Sequence, residues 1–336
     1  MYSLNLRIKT MTTLEFSDIP ALTFDIAKKI FPITANDDSR TYALREGTGI
    51  RVLTSGTLSE KNNTRLKYSS GISDADRHYY TESVFYIPKE TDFKLEIVIN
   101  NDVYKESIKS IIEFIKKLNE GRIRLGDNTT LGKGLCVCQV VDTLSPEIIS
   151  DIRDSHYSFN EQNICDRIVV SAHCENGLYI DDQNKKDTGS NDWPEEYTIP
   201  ASTWKGVFRN ASNDWVKYLG EDAYIINKMF GNHSLGMKGC LIFYDSIISD
   251  PEMIKNNRMP INKFSAAALA EKLINREYAA GSFEIIIECT ESIEPYKKYI
   301  FTVLRDLNTQ RINVGADKGI GKGFISIDNV DVYSNL

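Results

Sequence analysis

The sequence predicts an α+β protein built from two related domains in tandem. Three observations indicate this fold class. The chain of 336 residues is about twice as long as an average domain. Residues 122–142 and 311–331 align with each other without a gap. Each of these segments follows a run typical of a β-strand and then a run with helical periodicity, so strand and helix alternate in both halves.

The repeat is visible residue by residue. The aligned segments read RIRLGDNTTLGKGLCVCQVVD and RINVGADKGIGKGFISIDNVD. They share Arg, Ile, Gly, the tripeptide Gly-Lys-Gly and a closing Val-Asp. The same register continues backwards, through KLEIVINNDVYKESIKSIIEFIKKLN in the first half and FEIIIECTESIEPYKKYIFTVLRDLN in the second. The duplicated part therefore includes a strand and a helix as well as a loop.

Each copy has the same order of elements. The runs Leu95 to Ile99 and Phe283 to Cys289 are rich in β-forming residues and predict strands. The apolar residues that follow at helical spacing are Ile108, Ile111, Ile112, Ile115 and Leu118, and then Tyr296, Ile300, Val303, Leu304 and Leu307. They predict helices that end near Asn119 and Asn308. A glycine loop and another strand complete a β-α-loop-β unit, half of a ferredoxin-like (RRM-like) fold.

A second pair of segments gives the domain boundaries. Ile19-Pro-Ala-Leu-Thr-Phe matches Ile199-Pro-Ala-Ser-Thr-Trp, and each opens a helical pattern after a β-rich run. Ser202 is expected to be the N-cap of the second of these helices. We predict a first domain over residues 1–145 with a polar insertion at about 36–90, a linker over 146–163, and a second domain over 164–336.

Composition excludes several classes of protein. The formal net charge is −7 and the pI about 5.3, which counts against a protein that coats nucleic acid through bulk charge. No stretch approaches the roughly 18 apolar residues that span a bilayer. The six cysteines form no CxxC pair, so neither a zinc site nor a disulfide framework is expected. We expect a cytoplasmic protein with free thiols and no membrane partner.

The glycine loops have the composition of a phosphate site. The shared glycines are Gly126, Gly132 and Gly134 in the first loop and Gly315, Gly321 and Gly323 in the second, with Gly319 extra. Lys133 or Lys322 stands between two of them. Glycine lets a ligand approach the backbone closely, so each loop offers amide donors and one cation to a phosphate.

Neither loop is a nucleotide-binding fingerprint. A Walker loop runs from Gly-Lys-Ser/Thr into a helix, whereas here Gly-Lys-Gly runs into a strand. A dinucleotide fingerprint has a strand before its glycines and a helix after them, the reverse of this order. The alternative to a phosphate site is a pair of tight turns between helix and strand, which duplication would copy equally well.

The motifs resemble those of a known family. Ile199-Pro-Ala-Ser-Thr-Trp-Lys-Gly-Val-Phe-Arg resembles the Ile-Pro-Gly-Ser-Ser-Leu-Lys-Gly-x-x-Arg helix start of the RAMP superfamily, the repeat-associated proteins of CRISPR systems. Met229-Phe-Gly and then Gly239-Cys-Leu-Ile-Phe-Tyr-Asp-Ser are similar to its Leu-Phe-Gly and Gly-x-Leu-x-Phe-x-Asp. The loop Gly315 to Gly323 resembles its C-terminal glycine-rich loop, so the resemblance covers most of residues 165–336.

The resemblance implies two ferredoxin-like RAMP domains that bind guide RNA (crRNA) in a type III CRISPR effector complex, a system of antiviral defence. Guide RNA, target RNA and other effector subunits are the implied partners. The expected RNA-binding residues are Lys205, Arg209, Ser202, Gly315, Gly319, Gly321, Lys322, Gly323, Gly132, Lys133 and Gly134. The sequence departs from the family at Ala201, which replaces a glycine, and at Asp25, where the second half has Lys205.

Some backbone-type members of the family cut target RNA with an acidic residue between the first strand and the helix. Here that loop contains several aspartates, of which Asp182 and Asp187 are the candidate catalytic residues. A carboxylate there could bind Mg²⁺ or another divalent ion, or position an attacking 2′-hydroxyl. No recognisable motif binds a cofactor, and a solvated polar loop would have the same composition.

Two alternative functions stay open. A guide-processing endoribonuclease commonly uses a histidine as general acid or base. The chain has His78, His156, His173 and His233, in no recognisable constellation. The acidic pI favours a third hypothesis, an assembly scaffold on a duplicated frame that binds no RNA.

Overall fold

The computed structural model describes residues 2–30, 48–53, 59–63, 82–99, 104–143, 166–180, 196–232, 234–258 and 274–334. The chain folds into two compact units, Met1–Ile164 and Cys165–Leu336. The predicted α+β class is confirmed, and the strand pairs within these ranges are all antiparallel. None of the helices in these ranges has the length and apolar character needed to cross a membrane.

The described residues of the first unit form a four-stranded main sheet, a small three-stranded sheet and two helices. Its elements are β1 (Tyr2–Thr10), β2 (Leu14–Phe16), α1 (Ile19–Ile30), β3 (Thr48–Leu53), β4 (Ser59–Asn63), β5 (Glu82–Ile87), β6 (Asp92–Ile99), α2 (Tyr104–Asn119), a 3-10 turn (Thr129–Leu131) and β7 (Cys136–Thr143). The sheet has the order β3-β6-β1-β7, and a small sheet has the order β2-β5-β4.

The second unit repeats this plan with additions. Its elements are β8 (Asp166–Leu178), β9 (Glu196–Ile199), α3 (Ala201–Leu219), α4 (Tyr224–Phe230), β10 (Gly231–Asn232), β11 (Met237–Lys238), β12 (Leu241–Phe243), β13 (Ser246–Ser249), β14 (Glu252–Arg258), β15 (Ile274–Cys289), α5 (Glu294–Asn308), a 3-10 turn (Lys318–Ile320) and β16 (Ser326–Tyr333). The main sheet has the order β12-β15-β8-β16, and β14 pairs with the first half of β15.

The two main sheets correspond strand for strand. In each, the unit's first strand lies between its last strand and the strand that precedes its last helix, and the remaining strand is at the edge. This is the βαββαβ order of a ferredoxin-like fold. The edge strand of the first unit is β3, which lies inside the segment predicted to be a polar insertion. That part of residues 36–90 therefore belongs to the main sheet.

The core lies between one face of each sheet and its helices. Along β8 buried residues alternate with partly exposed ones, and Ile168, Val170 and Ala172 are buried. Trp204 of α3 and Ile300 of α5 are completely buried on the helix side. The helices end at Asn119 and Asn308, as predicted. Asn308 Oδ1 accepts the Ile327 N–H at 2.9 Å, and Asn119 makes the equivalent bond to Cys138.

The start of α3 differs from the expectation. Ser202 is the second residue of the helix and is exposed, so its prediction as the N-cap is wrong. Pro200 occupies the N-cap position in an extended conformation and offers no side-chain acceptor. Asp245 supplies it instead, because its Oδ1 accepts the Ala201 N–H at 2.7 Å. The neighbouring Ser246 Oγ accepts the indole N–H of Trp204 at 2.9 Å. Asp245 and Ser246 together therefore fix the start of α3.

The cysteines in the described part of the chain form no disulfides. Cys136, Cys138, Cys174, Cys240 and Cys289 are free and buried. Burial raises the pKa of the Cys136 thiol to about 12. A thiol with so high a pKa is protonated and unreactive at neutral pH.

Candidate nucleic-acid interface

A cluster of positive charge forms near the start of α3. Lys205 and Arg209 are one helical turn apart and lie on one face of the helix. Lys205 is largely buried, and this burial lowers the pKa of its ammonium group to about 8. The charges of Arg209 and of the exposed Lys238 on β11 lower that pKa further. Three cations therefore lie close together, an arrangement that an anion would stabilise.

The second glycine loop is a framework with an exposed tip. Gly315 and Gly323 have φ values of +81° and +74°. A Cβ atom at these positions would overlap the carbonyl oxygens of Tyr179 and Val314 respectively. Gly319, in contrast, has no heavy atom within 4 Å of where its Cβ would be. The turn geometry therefore requires the outer glycines, and the inner part of the loop stays open to a ligand.

The first loop has the same backbone conformation. Gly126, Gly132 and Gly134 have φ values of +72°, +73° and +73°. Leu125 N–H donates to Gly134 O at 2.8 Å, as Val314 N–H donates to Gly323 O in the second loop. The two loops therefore form the same kind of turn. The interpretation as plain turns accounts for the outer glycines, whereas it does not account for the lysine between the last two.

The two lysines of the loops are held differently. Lys322 Nζ donates to Asn176 O at 2.6 Å and lies 4.7 Å from the centre of the Tyr278 ring. Lys133 is half-buried, and Gly132 next to it accepts a hydrogen bond from the buried Arg124 at 3.0 Å.

The units differ most where α1 and α3 begin. Residues 19–29 align with 199–209, so Asp25 and Lys29 take the places of Lys205 and Arg209. Asp25 forms an ion pair with Lys29, and its Oδ2 accepts the Gly126 N–H at 2.8 Å. In the first unit, therefore, a carboxylate of the chain itself accepts the hydrogen bond of this loop amide. In the part of the chain that the structure describes, nothing accepts the equivalent N–H of Gly315.

The acidic loop begins beside the second glycine loop. Asp182 and Asp187 lie outside the described residues, so their role stays a prediction. The residues on either side of the loop are held together, because Tyr197 Oη accepts the Ile180 N–H at 2.8 Å. Tyr179 O accepts the Ala316 N–H at 2.8 Å. Within the described ranges no three His, Cys, Asp or Glu side chains converge as metal ligands would, and the expected Mg²⁺ stays a prediction too.

The histidines give the guide-processing alternative no further support. His173 on β8 lies 3.0 Å from Asp328 Oδ2 and forms a pair on the sheet surface. His78, His156 and His233 lie outside the described residues.

Sequence reasoning missed three cations near these elements. Lys238 joins the cluster at α3 only because the short hairpin of β10 and β11 folds back towards the helix. Arg258 and Arg276 meet because β14 pairs with β15, which places Asn256 opposite Arg276 and Arg258 opposite Ile274. No local spacing in the sequence signals either meeting. The only hint of the first meeting in the sequence was Lys238, which follows the Met229-Phe-Gly motif.

Comparison with known proteins gives matches of unequal strength. The family model described as RAMP superfamily matches residues 171–326. Among solved structures, a chain in the "Cryo-EM structure of the Type III-B Cmr-beta bound to cognate target RNA" is 14% identical, with a TM-score of 0.37 over 69% of this chain and 92% of that chain. A likeness of this size carries no argument about function. No curated protein matches the chain.

Proposed function

Since residues 171–326 match the family model of the RAMP superfamily, we propose that the chain is a guide-RNA-binding subunit of a type III CRISPR effector complex. Both units are RAMP domains in this proposal, because their main sheets share one strand order. Guide RNA, target RNA and the other effector subunits are its partners. The cytoplasm is the expected compartment for such a complex.

The cation cluster of Lys205, Arg209 and Lys238 carries the proposal. Three positive charges beside the first half of α3 suit the phosphates of a nucleic acid. Such phosphate contacts bind through charge and do not read the base sequence. The amide of Gly315 adds an uncharged donor of the kind that binds phosphate oxygens. An acidic protein can therefore bind RNA through a local site.

Binding of single-stranded RNA by the purified full chain tests the proposal. Fluorescence anisotropy with a labelled RNA should show affinity that falls as the salt concentration rises. Absence of RNA binding, together with an absorbance spectrum free of nucleic acid in the native complex, would favour the scaffold hypothesis. Specific cutting of repeat RNA by the protein alone would favour the guide-processing endoribonuclease.

The pH dependence of RNA binding should follow the ionisation of Lys205. Its pKa of about 8 means that the side chain is charged at pH 7 and loses its proton as the pH rises through that value. A phosphate favours the charged form, so RNA binding must be strongest below the pKa and weaken above it. We expect Kd to rise about threefold between about pH 7 and about pH 9.

The matched variant for this measurement is Lys205→Arg. Arginine keeps its charge throughout the range, and the rise in Kd should become much smaller. A wild-type profile that is flat to about pH 9 would show that no group with a pKa near 8 contributes to RNA binding.

Cleavage of target RNA through Asp182 or Asp187 is a second candidate function. The observation that favours it is the anchoring of the flanking Tyr179 and Ile180 beside the second glycine loop and Tyr197. In the assembled complex with Mg²⁺, Asp182→Asn or Asp187→Asn should abolish target cutting and leave guide binding unchanged. Undiminished cutting by both variants would end this proposal and leave the binding proposal intact.

A further inference from the structure

A second set of cationic side chains surrounds Asp317 in the glycine loop of the second unit. Asp317 Oδ2 accepts hydrogen bonds from Arg258 Nη2 at 2.8 Å, from Arg276 Nη1 at 2.6 Å and from Tyr278 Oη at 2.6 Å. The Asp317 side chain is only 16% exposed, whereas the two arginine side chains are 32% and 34% exposed. One partly buried carboxylate thus fixes two guanidinium groups that reach solvent.

Aromatic rings line the same place. The Arg276 guanidinium lies 5.0 Å from the centre of the Tyr179 ring. The rings of Tyr179 and Tyr278 meet edge to face at 6.1 Å between centroids. Lys322 Nζ lies over the Tyr278 ring. Tyr278 is fully buried and forms the floor, whereas Tyr179 is partly exposed beside it.

The charges of this group do not balance. Arg258, Arg276 and Lys322 bring three positive charges, and Asp317 brings one negative charge. A single guanidinium would be enough to pair with the carboxylate. Stability alone therefore does not explain why a second guanidinium and a lysine lie there. Each guanidinium has five N–H donors in a fixed plane, a geometry that matches phosphate oxygens. Arg258 Nε is moreover buried without a hydrogen-bond partner.

We propose that this group, which we call the Asp317 cluster (Tyr179, Arg258, Arg276, Tyr278, Asp317 and Lys322), binds one nucleotide of single-stranded RNA. The guanidinium groups of Arg258 and Arg276 bind its phosphodiester, and Asp317 holds them in place. Its base stacks on the partly exposed Tyr179 ring beside the Arg276 guanidinium, which every base can do. The inference rests on the proposed function and adds a contact that shares no residue with the cation cluster at α3.

Salt titration of RNA affinity with Arg276→Gln tests the inference. Removing one phosphate contact should raise Kd about fivefold. It should also reduce the slope of log affinity against log salt by about 0.7, the value for one phosphate of a single strand. The control is Lys255→Gln on the same hairpin, where an exposed lysine pairs with Glu277 at 3.7 Å. It loses the same charge, and its Kd and slope should stay close to those of the wild type.

Tyr179→Leu is the second variant, because it removes the stacking ring and leaves all charges in place. Its Kd should rise while its salt slope stays unchanged. Wild-type affinity and slope in Arg276→Gln, or equal losses in Arg276→Gln and Lys255→Gln, would overturn the inference. If Arg276→Gln does not fold, an unchanged Kd in Tyr179→Leu overturns it instead. Failure of the wild type to bind RNA would contradict the proposed function itself.

Discussion

Replacing both Lys205 and Arg209 with glutamine should weaken binding of single-stranded RNA by the full chain about a hundredfold. Hydrogen bonds to charged groups are each worth about 1.5–3 kcal/mol, and about 1.4 kcal/mol changes affinity tenfold. The salt slope should fall by about 1.4, since two contacts to single-stranded phosphates are lost.

The first unit provides the control for this experiment. Lys29→Gln changes the residue that aligns with Arg209, but Lys29 already pairs with Asp25. Its loss should change Kd by less than about twofold. Equal losses in the two units would mean that RNA contacts the duplicated positions symmetrically. Wild-type affinity in the double variant would remove the α3 cluster from the interface.

Gly323→Ala should cost the chain about 3 kcal/mol of stability, the largest effect we expect from a single methyl group. A left-handed backbone conformation costs a non-glycine residue about 1–2 kcal/mol, and Gly323 has a φ of +74°. The added Cβ would also overlap Val314 O, in a place where Val314 N–H donates to Gly323 O. Turn and strand would have to move apart to admit it.

Chemical denaturation of the full chain, with Gly319→Ala measured alongside, separates this effect from a general intolerance of the loop. A Cβ at Gly319 meets nothing within 4 Å. Its midpoint should therefore stay within error of the wild type. A neutral Gly323→Ala, or a Gly319→Ala that destabilises equally, would show that the framework assigned to the outer glycines is wrong.

The repeat was readable from sequence because both copies keep the residues that their common backbone requires. The backbone at Gly126 and Gly315 lies too close to a neighbouring carbonyl oxygen to leave room for a side chain, so both copies keep glycine there. Apolar periodicity predicted the helix that precedes each loop, because one face of each helix must be buried. What could not be read was contact between distant segments. Asp245 caps a helix that begins 44 residues earlier, whereas local spacing pointed to Ser202.

The meaning of Asp25 shows the same limit. The sequence records only that an aspartate stands where the second unit has Lys205. In the structure the Asp25 carboxylate accepts a hydrogen bond from the Gly126 amide. The aspartate therefore places a side chain of the chain itself against the loop. The Asp317 cluster likewise depends on the pairing of β14 with β15, and Arg258 and Asp317 are 59 residues apart in the chain.

Ultraviolet crosslinking of the full chain to single-stranded RNA, with the crosslinked peptides identified by mass spectrometry, tests the central claim most directly. The account predicts crosslinks in the second unit, at residues 199–209 and in the loop 315–323, and none at the aligned residues 19–29. Crosslinks confined to the first unit, or no crosslinks with an RNA that the native complex carries, would contradict it.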